Sequence, residues 1–292
     1  MAFLPVILVF ILYFSGIPIA YALFGASLTY FGFINVGSPP HLLLQRFITS
    51  AQNFSLLAIP FFVMAGSVMN YAGISGKMMS FAETLTGHLP GGLAQCNVLL
   101  SMLMGGVSGS ANADAAMQCK MLVPEMERRG YDKGFSAAIT AASSAVTPVI
   151  PPGINLIVYA LIAGVSVGKM FMGGYIPGIF MAICLMITVH IISKKRGYKP
   201  LRTDKIPASE FFAAVKVAIL PLMLPIIIIG GIRLGIFTAT EAGSVAIVYA
   251  LVLGLIRRKW TVVLGVLGAV GGAAVLLIYL AMGGRMPLRA VL

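Results

Sequence analysis

Long apolar stretches alternate along the chain with short polar, glycine-rich or proline-rich interruptions. A first apolar stretch covers residues 3–13. Membrane spans are predicted at residues 19–34, 56–71, 171–192, 215–229, 240–255 and 262–280, because crossing a bilayer takes about 20 predominantly apolar residues. Residues 39–53 mix apolar and polar positions and predict an amphipathic interfacial helix, while the mixed segment 77–88 predicts a surface arm. The pattern predicts an all-α integral membrane protein.

Two further stretches interrupt the helical pattern. Residues 93–104 are apolar but too short to cross a bilayer, and they lead through the Gly- and Ser-rich segment 105–114 to a second half-length stretch. This pattern predicts a re-entrant hairpin. In residues 147–155, three prolines and a glycine interrupt the next helix, because proline lacks an N–H and clashes with the preceding turn.

Interruptions at membrane depth leave backbone groups unpaired, which costs several kcal/mol each in lipid unless they line a polar cavity or bind something. The two breaks therefore predict a transport site of the kind that discontinuous helices form. The alternative is that the glycines and serines only permit close helix packing.

Composition supports the membrane assignment. The chain is 59% hydrophobic and only 10% charged, whereas a soluble domain carries about 25% charged residues. Basic residues cluster at 194–205 and 257–259, which marks cytoplasmic loops and places the N-terminus outside. No aromatic and basic stripe offers a base-stacking surface, so nucleic acid is not an expected partner.

The interruptions carry oxygen-bearing side chains that suit a hard cation such as Na⁺, and half-helix N-termini favour an anion. Asp114 has two readings, a functional acid or a cap for the second half-helix. For Glu241, near a helix start, capping is the favoured role. The three histidines, three cysteines and eight acidic residues form no metal-ligand spacing in the sequence.

A short internal similarity suggests a repeat. Residues 16–20 (GIPIA) resemble residues 235–239 (GIFTA), and each follows one apolar span and opens another. In the predicted topology these spans cross in opposite directions, as in an inverted-topology repeat.

One motif resembles that of an enzyme. Residues 106–109 (GVSG) look like the nucleophile motif of intramembrane serine proteases, a chemistry that needs a histidine base near the serine. His190 lies at the far end of its span, so the chain is predicted not to be an enzyme, and proteolysis is a remote alternative.

Four motifs resemble the large membrane subunit of tripartite ATP-independent periplasmic (TRAP) transporters. They are residues 59–66, 105–115, 143–154 and 235–242. The resemblance implies an elevator-type ion-transporter fold of inverted repeats in a bacterial or archaeal inner membrane. It also implies sodium-coupled import of small organic acids, often dicarboxylates. The implied partners are a small membrane subunit and a periplasmic substrate-binding protein, with Na⁺ as coupling ion and no other cofactor.

The resemblance also carries over residue by residue. It implies that the sodium site and one side of the substrate cavity are lined by Gly106, Ser108, Ser110 and Asn112 at the hairpin tip and by Ser144, Pro148, Pro152 and Gly153 at the break. Around them we expect the accessory positions Asp114, Thr147, Pro151 and Asn155.

The expected organisation has four parts. Residues 1–54 form scaffold helices and the interfacial helix, and 55–165 form half of a transport domain, with the hairpin at 89–130 and the broken helix at 133–164. Residues 166–258 return to scaffold helices and begin a second repeat, and 259–292 form a divergent membrane segment.

Because the family carries a second hairpin and a second break, the sequence predicts a truncated or fragmentary permease. A non-transporting membrane scaffold is the alternative.

Overall fold

In the computed structural model, the described residues are 3–34, 41–202, 206–256 and 268, and these contain helices and no strand. The all-α prediction is confirmed. The predicted span at 262–280 and the terminal segment 259–292 lie outside the described residues, apart from residue 268.

The chain divides into two compact units, Met1–Phe54 and Ser55–Leu292. The first contains α1 (Leu4–Phe14), α2 (Ile19–Thr29) with a π-helical turn at Tyr30–Ile34, and α3 (His41–Ala51). Helices α1 and α2 pack against each other. Helix α3 lies where the sequence predicted an amphipathic helix, and it buries none of its side chains.

A 3₁₀ turn, Phe54–Leu57, lies at the start of the second unit, which holds ten α-helices among the described residues. They are α4 (Ala58–Tyr71), α5 (Ile74–Thr86), α6 (Gly92–Ser108), α7 (Ala111–Met121), α8 (Val123–Arg128), α9 (Lys133–Ser144), α10 (Ile154–Ile162), α11 (Val167–Arg196), α12 (Ala208–Arg233) and α13 (Ala239–Ile256).

Three of the predicted spans are long and apolar enough to cross a membrane: Phe54–Tyr71, Val167–Arg196 and Ala208–Arg233. The first two apolar runs form shorter helices, Leu4–Phe14 and Ile19–Phe33. A helix rises about 1.5 Å per residue, so the 11 residues of α1 cover about half of a hydrocarbon core.

The prediction of a surface arm at residues 77–88 is wrong. Helix α5 buries one face, which includes Ile74, Met78, Phe81 and Ala82, and it packs against α6 and α12. The spacing of these four residues places them on one side of the helix. The mixed polarity of this segment therefore reflects a two-faced packed helix.

The two segments of the suspected repeat adopt the same turn. Gly16 and Gly235 have φ of +86° and +73°, a left-handed conformation that favours glycine. The glycine N–H reaches the carbonyl three residues back (Gly16 to Tyr13, 3.0 Å), and the next N–H reaches five residues back (Ile17 to Leu12, 3.3 Å). At Gly235 and Ile236 the corresponding distances are 3.1 and 2.9 Å. Both helices thus end in a Schellman-type cap.

Helices α4 and α13 make the closest pair in the second unit. Ala242, Ala246 and Ala250 recur every four residues on α13 and are fully buried. A side chain on Gly243 would stand 2.9 Å from Cβ of Phe61 on α4. Small residues at this spacing let two membrane helices approach closely.

Candidate functional site: two helix breaks in contact

The hairpin is formed by α6 and α7, which are joined only by Gly109 and Ser110. The sequence predicts a longer interruption at 105–113, and this is wrong, because α6 continues to Ser108 and α7 begins at Ala111. Gly109 takes φ of +58°, which reverses the chain in one residue. The hydroxyl of Ser110 then accepts a hydrogen bond from the Ala113 N–H at 3.4 Å and caps α7.

The glycines of the tip are explained by close packing. A Cβ on Gly105 would lie 2.8 Å from Cβ of Ile150, and one on Gly106 would lie 2.5 Å from Cγ of Pro225. Glycine is costly inside a helix, but here only glycine leaves room for the neighbouring segments. Close packing, the alternative weighed for these residues, therefore applies to Gly105 and Gly106.

The second break is confirmed. Helix α9 ends at Ser144 and α10 begins at Ile154. Prolines at 148, 151 and 152 supply no N–H. Within the described part of the chain, the carbonyls of residues 147–152 accept no hydrogen bond. The backbone carbonyl oxygens of this segment are therefore not occupied by hydrogen bonds from the described residues.

The two interruptions touch each other. A Cβ on Gly109 would stand 2.5 Å from the Pro152 carbonyl oxygen and 3.2 Å from Cα of Gly153. A Cβ on Gly105 would stand 3.0 Å from the Thr147 carbonyl oxygen. The hairpin tip thus packs directly on the break of the next helix. The sequence pattern indicates both interruptions but not the contact between them.

A buried polar cluster joins the hairpin to the break. Oδ2 of Asp114 accepts hydrogen bonds from the hydroxyls of Ser101 (2.7 Å) and Thr147 (2.9 Å) and from the amide of Gln118 (2.8 Å). All four side chains are almost completely buried. The second carboxylate oxygen of Asp114 and the amide oxygen of Gln118 make no hydrogen bond among the described residues.

This geometry excludes one of the two readings of Asp114. The capping reading is wrong, because Ser110 caps α7 and the Asp114 carboxylate turns back toward α6 and the break. Its position one turn into α7 also places it near the positive end of the helix dipole, which favours a carboxylate.

A second polar cluster lies further along α6 and α9. The side-chain amide nitrogen of Asn97 donates to the Thr140 hydroxyl at 2.8 Å, and the Ser143 hydroxyl donates to the side-chain amide oxygen of Asn97 at 2.6 Å. The hydroxyl of neighbouring Ser144 is buried and has no hydrogen-bond partner among the described residues. A buried hydroxyl without a partner is rare in folded proteins, so this group at the start of the break needs an explanation, such as a bound ligand or water.

A cavity of about 160 Å³ opens beside the hairpin tip. Its polar lining comes from Ser67 and Asn70 on α4 and from Ser108, Ser110 and Asp114 on the hairpin. Ligand pockets for small organic molecules usually occupy about 300–1,000 Å³. The cavity is therefore smaller than a site for a whole organic acid.

The predicted site residues do not all line the cavity at the hairpin tip. Ser108, Ser110 and Asp114 line the cavity. Asn112 and Asn155 are exposed, and neither lines this cavity. The remaining predicted residues lie at the contact between the hairpin and the break or within the break itself: Gly106, Ser144, Thr147, Pro148, Pro151, Pro152 and Gly153.

Sequence reasoning missed several polar residues. Ser101, Gln118, Asn97 and Thr140 are completely buried, and Asn70 lines the cavity. A signal was present, because a polar side chain inside an apolar membrane helix is expensive unless it is paired. The pattern did not show which of them face one another.

Glu241 and Ser108 both make hydrogen bonds that are local to their own helices. Glu241 caps α13, since its carboxylate accepts from the Thr238 N–H at 2.7 Å while the Thr238 hydroxyl accepts from the Glu241 N–H at 3.3 Å. The Ser108 hydroxyl donates to the Met104 carbonyl at 3.3 Å. That bond belongs to the helix and does not activate a nucleophile.

Comparison with known proteins now adds to this geometry. The chain is 39% identical over 245 residues to the sialic acid TRAP transporter large permease protein SiaM of Vibrio cholerae, covering 84% of this chain and 57% of the relative. It is 40% identical over 250 residues to the 2,3-diketo-L-gulonate TRAP transporter large permease protein YiaN of Escherichia coli, covering 84% and 57%.

The C4-dicarboxylate TRAP transporter large permease protein DctM of Pseudomonas aeruginosa is 36% identical over 214 residues, covering 73% of this chain and 49% of the relative. The chain thus spans about half the length of the curated relatives it matches. These relatives are permeases, not enzymes.

The model of the family described as "Tripartite ATP-independent periplasmic transporter, DctM component" matches residues 6–286 of this chain. This match includes the hairpin and the break. The chain therefore belongs to the DctM family of TRAP transporter large permeases.

Proposed function

We propose that the chain supplies one half of the transport pathway of a sodium-coupled TRAP permease that imports small organic acids across a bacterial or archaeal inner membrane. The observation that carries this proposal is the contact between the hairpin turn at Gly109 and the break at Pro152. Two interrupted helices that meet inside an apolar helical unit are typical of a transporter binding site.

The break is the part of this site that fits sodium. Na⁺ is a hard cation that binds oxygen, and residues 147–152 present carbonyl oxygens without hydrogen-bond donors. The buried Ser144 hydroxyl is also unpaired among the described residues. These groups are the candidate sodium ligands, while Asp114, which already accepts three hydrogen bonds, holds the hairpin and the break together.

The start of α10 fits an organic anion. Gly153 precedes α10 and provides no side-chain cap, so the first N–H groups of the helix are available at its positive end. The relatives' names refer to sialic acid, a diketo sugar acid and C4-dicarboxylates. All three are carboxylates, and we propose the same chemical class here.

The proposed partners follow from the family. A periplasmic binding protein would deliver the acid, and a small membrane subunit would support the permease. An elevator-type movement with inverted repeats is part of the same proposal.

Sodium binding can be tested without knowing the substrate. The purified chain in detergent should unfold at a higher temperature in NaCl than in an equal concentration of KCl or choline chloride, because a ligand that binds only the folded state stabilises it. Ser144→Ala should reduce this sodium-specific shift. Ser244→Ala is the matched control, since its hydroxyl is bonded to the Glu241 carbonyl on α13, outside the break.

Transport is tested by uptake of labelled acids into proteoliposomes that contain the chain, the cognate small subunit and the binding protein. Sodium-dependent uptake is the expected result. Uptake that is equal in sodium and in choline would overturn the coupling.

A second candidate function is a non-transporting membrane scaffold. Capture of the small subunit without any uptake, by a chain that still binds sodium, would select this alternative.

A further inference from the structure

A cavity of about 490 Å³ lies at the C-terminal end of α11, formed by residues 129–131 and 196–201. It shares no residue with the cavity at the hairpin tip. We call it the basal cavity, since it lies where the chain leaves the hairpin and enters α9. Its volume is in the range of small-molecule sites.

Backbone hydrogen bonds hold one wall of the basal cavity in place. The segment after α11 crosses the turn between α5 and α6, where the Leu201 N–H donates to the Gly87 carbonyl at 2.8 Å and the Gly91 N–H donates to the Tyr198 carbonyl at 3.3 Å. The Tyr198 hydroxyl accepts from the Asp132 N–H at 3.2 Å. The wall is therefore preorganised, which lowers the entropic cost of binding.

An aromatic cluster forms the floor. The rings of Tyr131 and Tyr198 stack with centroids 4.3 Å apart, and Arg196 lies over the Phe135 ring at 5.6 Å. Tyr131 is 6% exposed, and its hydroxyl lies near the Leu93 backbone but has no partner at full hydrogen-bond geometry in the part of the chain that the structure describes. Burial raises the pKa of Tyr131, so the phenol stays neutral and keeps a proton to donate.

The surroundings of the basal cavity are strongly basic. Residues 125–133 and 194–199 contain seven Lys or Arg against three Asp or Glu, a net charge of +4. Arg129 pairs with Glu125 at 2.8 Å, and Arg196 lies 3.7 Å from Asp132. Lys199 lines the cavity and has no carboxylate within 4.0 Å among the described residues.

The position of the cavity along α11 indicates its depth in the membrane. Helix α11 is a candidate span that ends at Arg196, and the cavity begins at this residue. The end of a span marks the headgroup layer, where tyrosines and basic residues gather. By the positive-inside rule, its Lys and Arg cluster faces the cytoplasm, where anionic lipids concentrate.

We propose that the basal cavity binds a phosphate group, with Lys199 and Arg196 supplying charge and the Tyr131 hydroxyl donating a hydrogen bond. The headgroup of an anionic phospholipid in the cytoplasmic leaflet is the source that this depth favours. A free phosphate anion carries the same chemistry. Basic pockets between helices on this side of the membrane bind such headgroups.

The test is native mass spectrometry of the purified 292-residue chain in detergent micelles with equal amounts of phosphatidylglycerol and phosphatidylcholine. The wild type should retain phosphatidylglycerol preferentially. Lys199→Ala should lower that retention about fivefold, because one basic residue near the surface contributes about that factor. Tyr131→Phe, which removes only the unpaired hydroxyl, should lower it two- to threefold.

Lys195→Ala is the matched control, since it removes the same charge from the same end of α11 but does not line the cavity. It should retain the lipid within a factor of two of wild type. Equal retention of the two lipids by wild type, or an equal loss in Lys195→Ala and Lys199→Ala, would show diffuse attraction and overturn the proposal. Circular dichroism melting curves must coincide for the variants compared.

A competition arm separates the two sources of phosphate. Inorganic phosphate at 10 mM, with ionic strength held constant by chloride, should leave the lipid bound if the headgroup occupies the site. Displacement in wild type that is absent in Lys199→Ala would instead support a soluble phosphate as the occupant of the same cavity. Displacement that is equal in both proteins would contradict a phosphate site at Lys199.

Discussion

Two carboxylates near each other in sequence, Asp114 and Glu125, are stabilised in opposite ways. Asp114 is 1% exposed, and its Oδ2 accepts hydrogen bonds from two hydroxyls and one amide. The side chain of Glu125 is 35% exposed, and it pairs with Arg129 at 2.8 Å and with Arg128 at 3.8 Å. One carboxylate relies on neutral donors, and the other on cations.

The difference shows which contacts define the site. The partners of Asp114 come from α6, α7 and the break, with Ser101 and Thr147 lying 13 and 33 positions away along the chain. The partners of Glu125 lie three and four residues along the same short stretch. Of these two carboxylates, Asp114 is the one whose hydrogen bonds join separate elements, and its low-dielectric surroundings strengthen each bond.

The largest expected effect is for Asp114→Ala. This change removes the acceptor that three buried donors share. Thr147 and Gln118 keep acceptors on Ser101, but the Ser101 hydroxyl loses its only one, and an unpaired buried group costs about 1–3 kcal/mol. We expect a loss of about 3 kcal/mol in the free energy of unfolding, measured by equilibrium denaturation in mixed micelles. Asp114→Asn, which keeps the volume and one acceptor oxygen, should lose less. Equal losses in the two variants would contradict the network.

Gly174→Ala tests whether the break is held rigidly. A Cβ there would lie 2.6 Å from the Val149 carbonyl oxygen and 2.9 Å from a methyl of Leu156. Overpacking of this kind costs about 2 kcal/mol. Gly173 has nothing within 4 Å of such a Cβ, so Gly173→Ala should leave the melting temperature unchanged or raise it. A tolerant Gly174→Ala variant would show that the break can shift.

Thr147→Val removes one hydroxyl from the network, which donates to Asp114 at 2.9 Å and to the Ser101 backbone carbonyl at 3.2 Å. Valine has nearly the same shape, and Asp114 keeps the bonds from Ser101 and Gln118. We expect a loss of about 1 kcal/mol in the free energy of unfolding. If this variant is as unstable as Asp114→Ala, Thr147 stabilises the break by some other contact.

Glu125→Gln should have the smallest effect. Exposed ion pairs of this spacing contribute about 0.3–0.5 kcal/mol and are screened by salt. The variant should melt within 2 °C of wild type, and the difference should vanish at about 0.5 M NaCl. A change as large as that of Thr147→Val would remove the contrast between the two carboxylates.

Much of the fold was predictable from the sequence, because bilayer thickness and helix geometry fix what an apolar run can do. The runs that became α11 and α12 were recognised, and so was the proline break before α10. The hairpin tip was predicted too long, since Gly105 and Gly106 lower helix propensity on their own. Their role as packing positions depends on Ile150 and Pro225, which lie far away in the chain.

The sequence by itself determined where the backbone must leave the helix and which polar residues accompany the breaks. Only the tertiary structure decided that the two breaks touch and that Asp114 joins them. Periodicity reports the face on which a residue lies, whereas a hydrogen bond between Asp114 and Thr147 requires two separate segments to pack within 2.9 Å. That distance is a property of the packed chain as a whole.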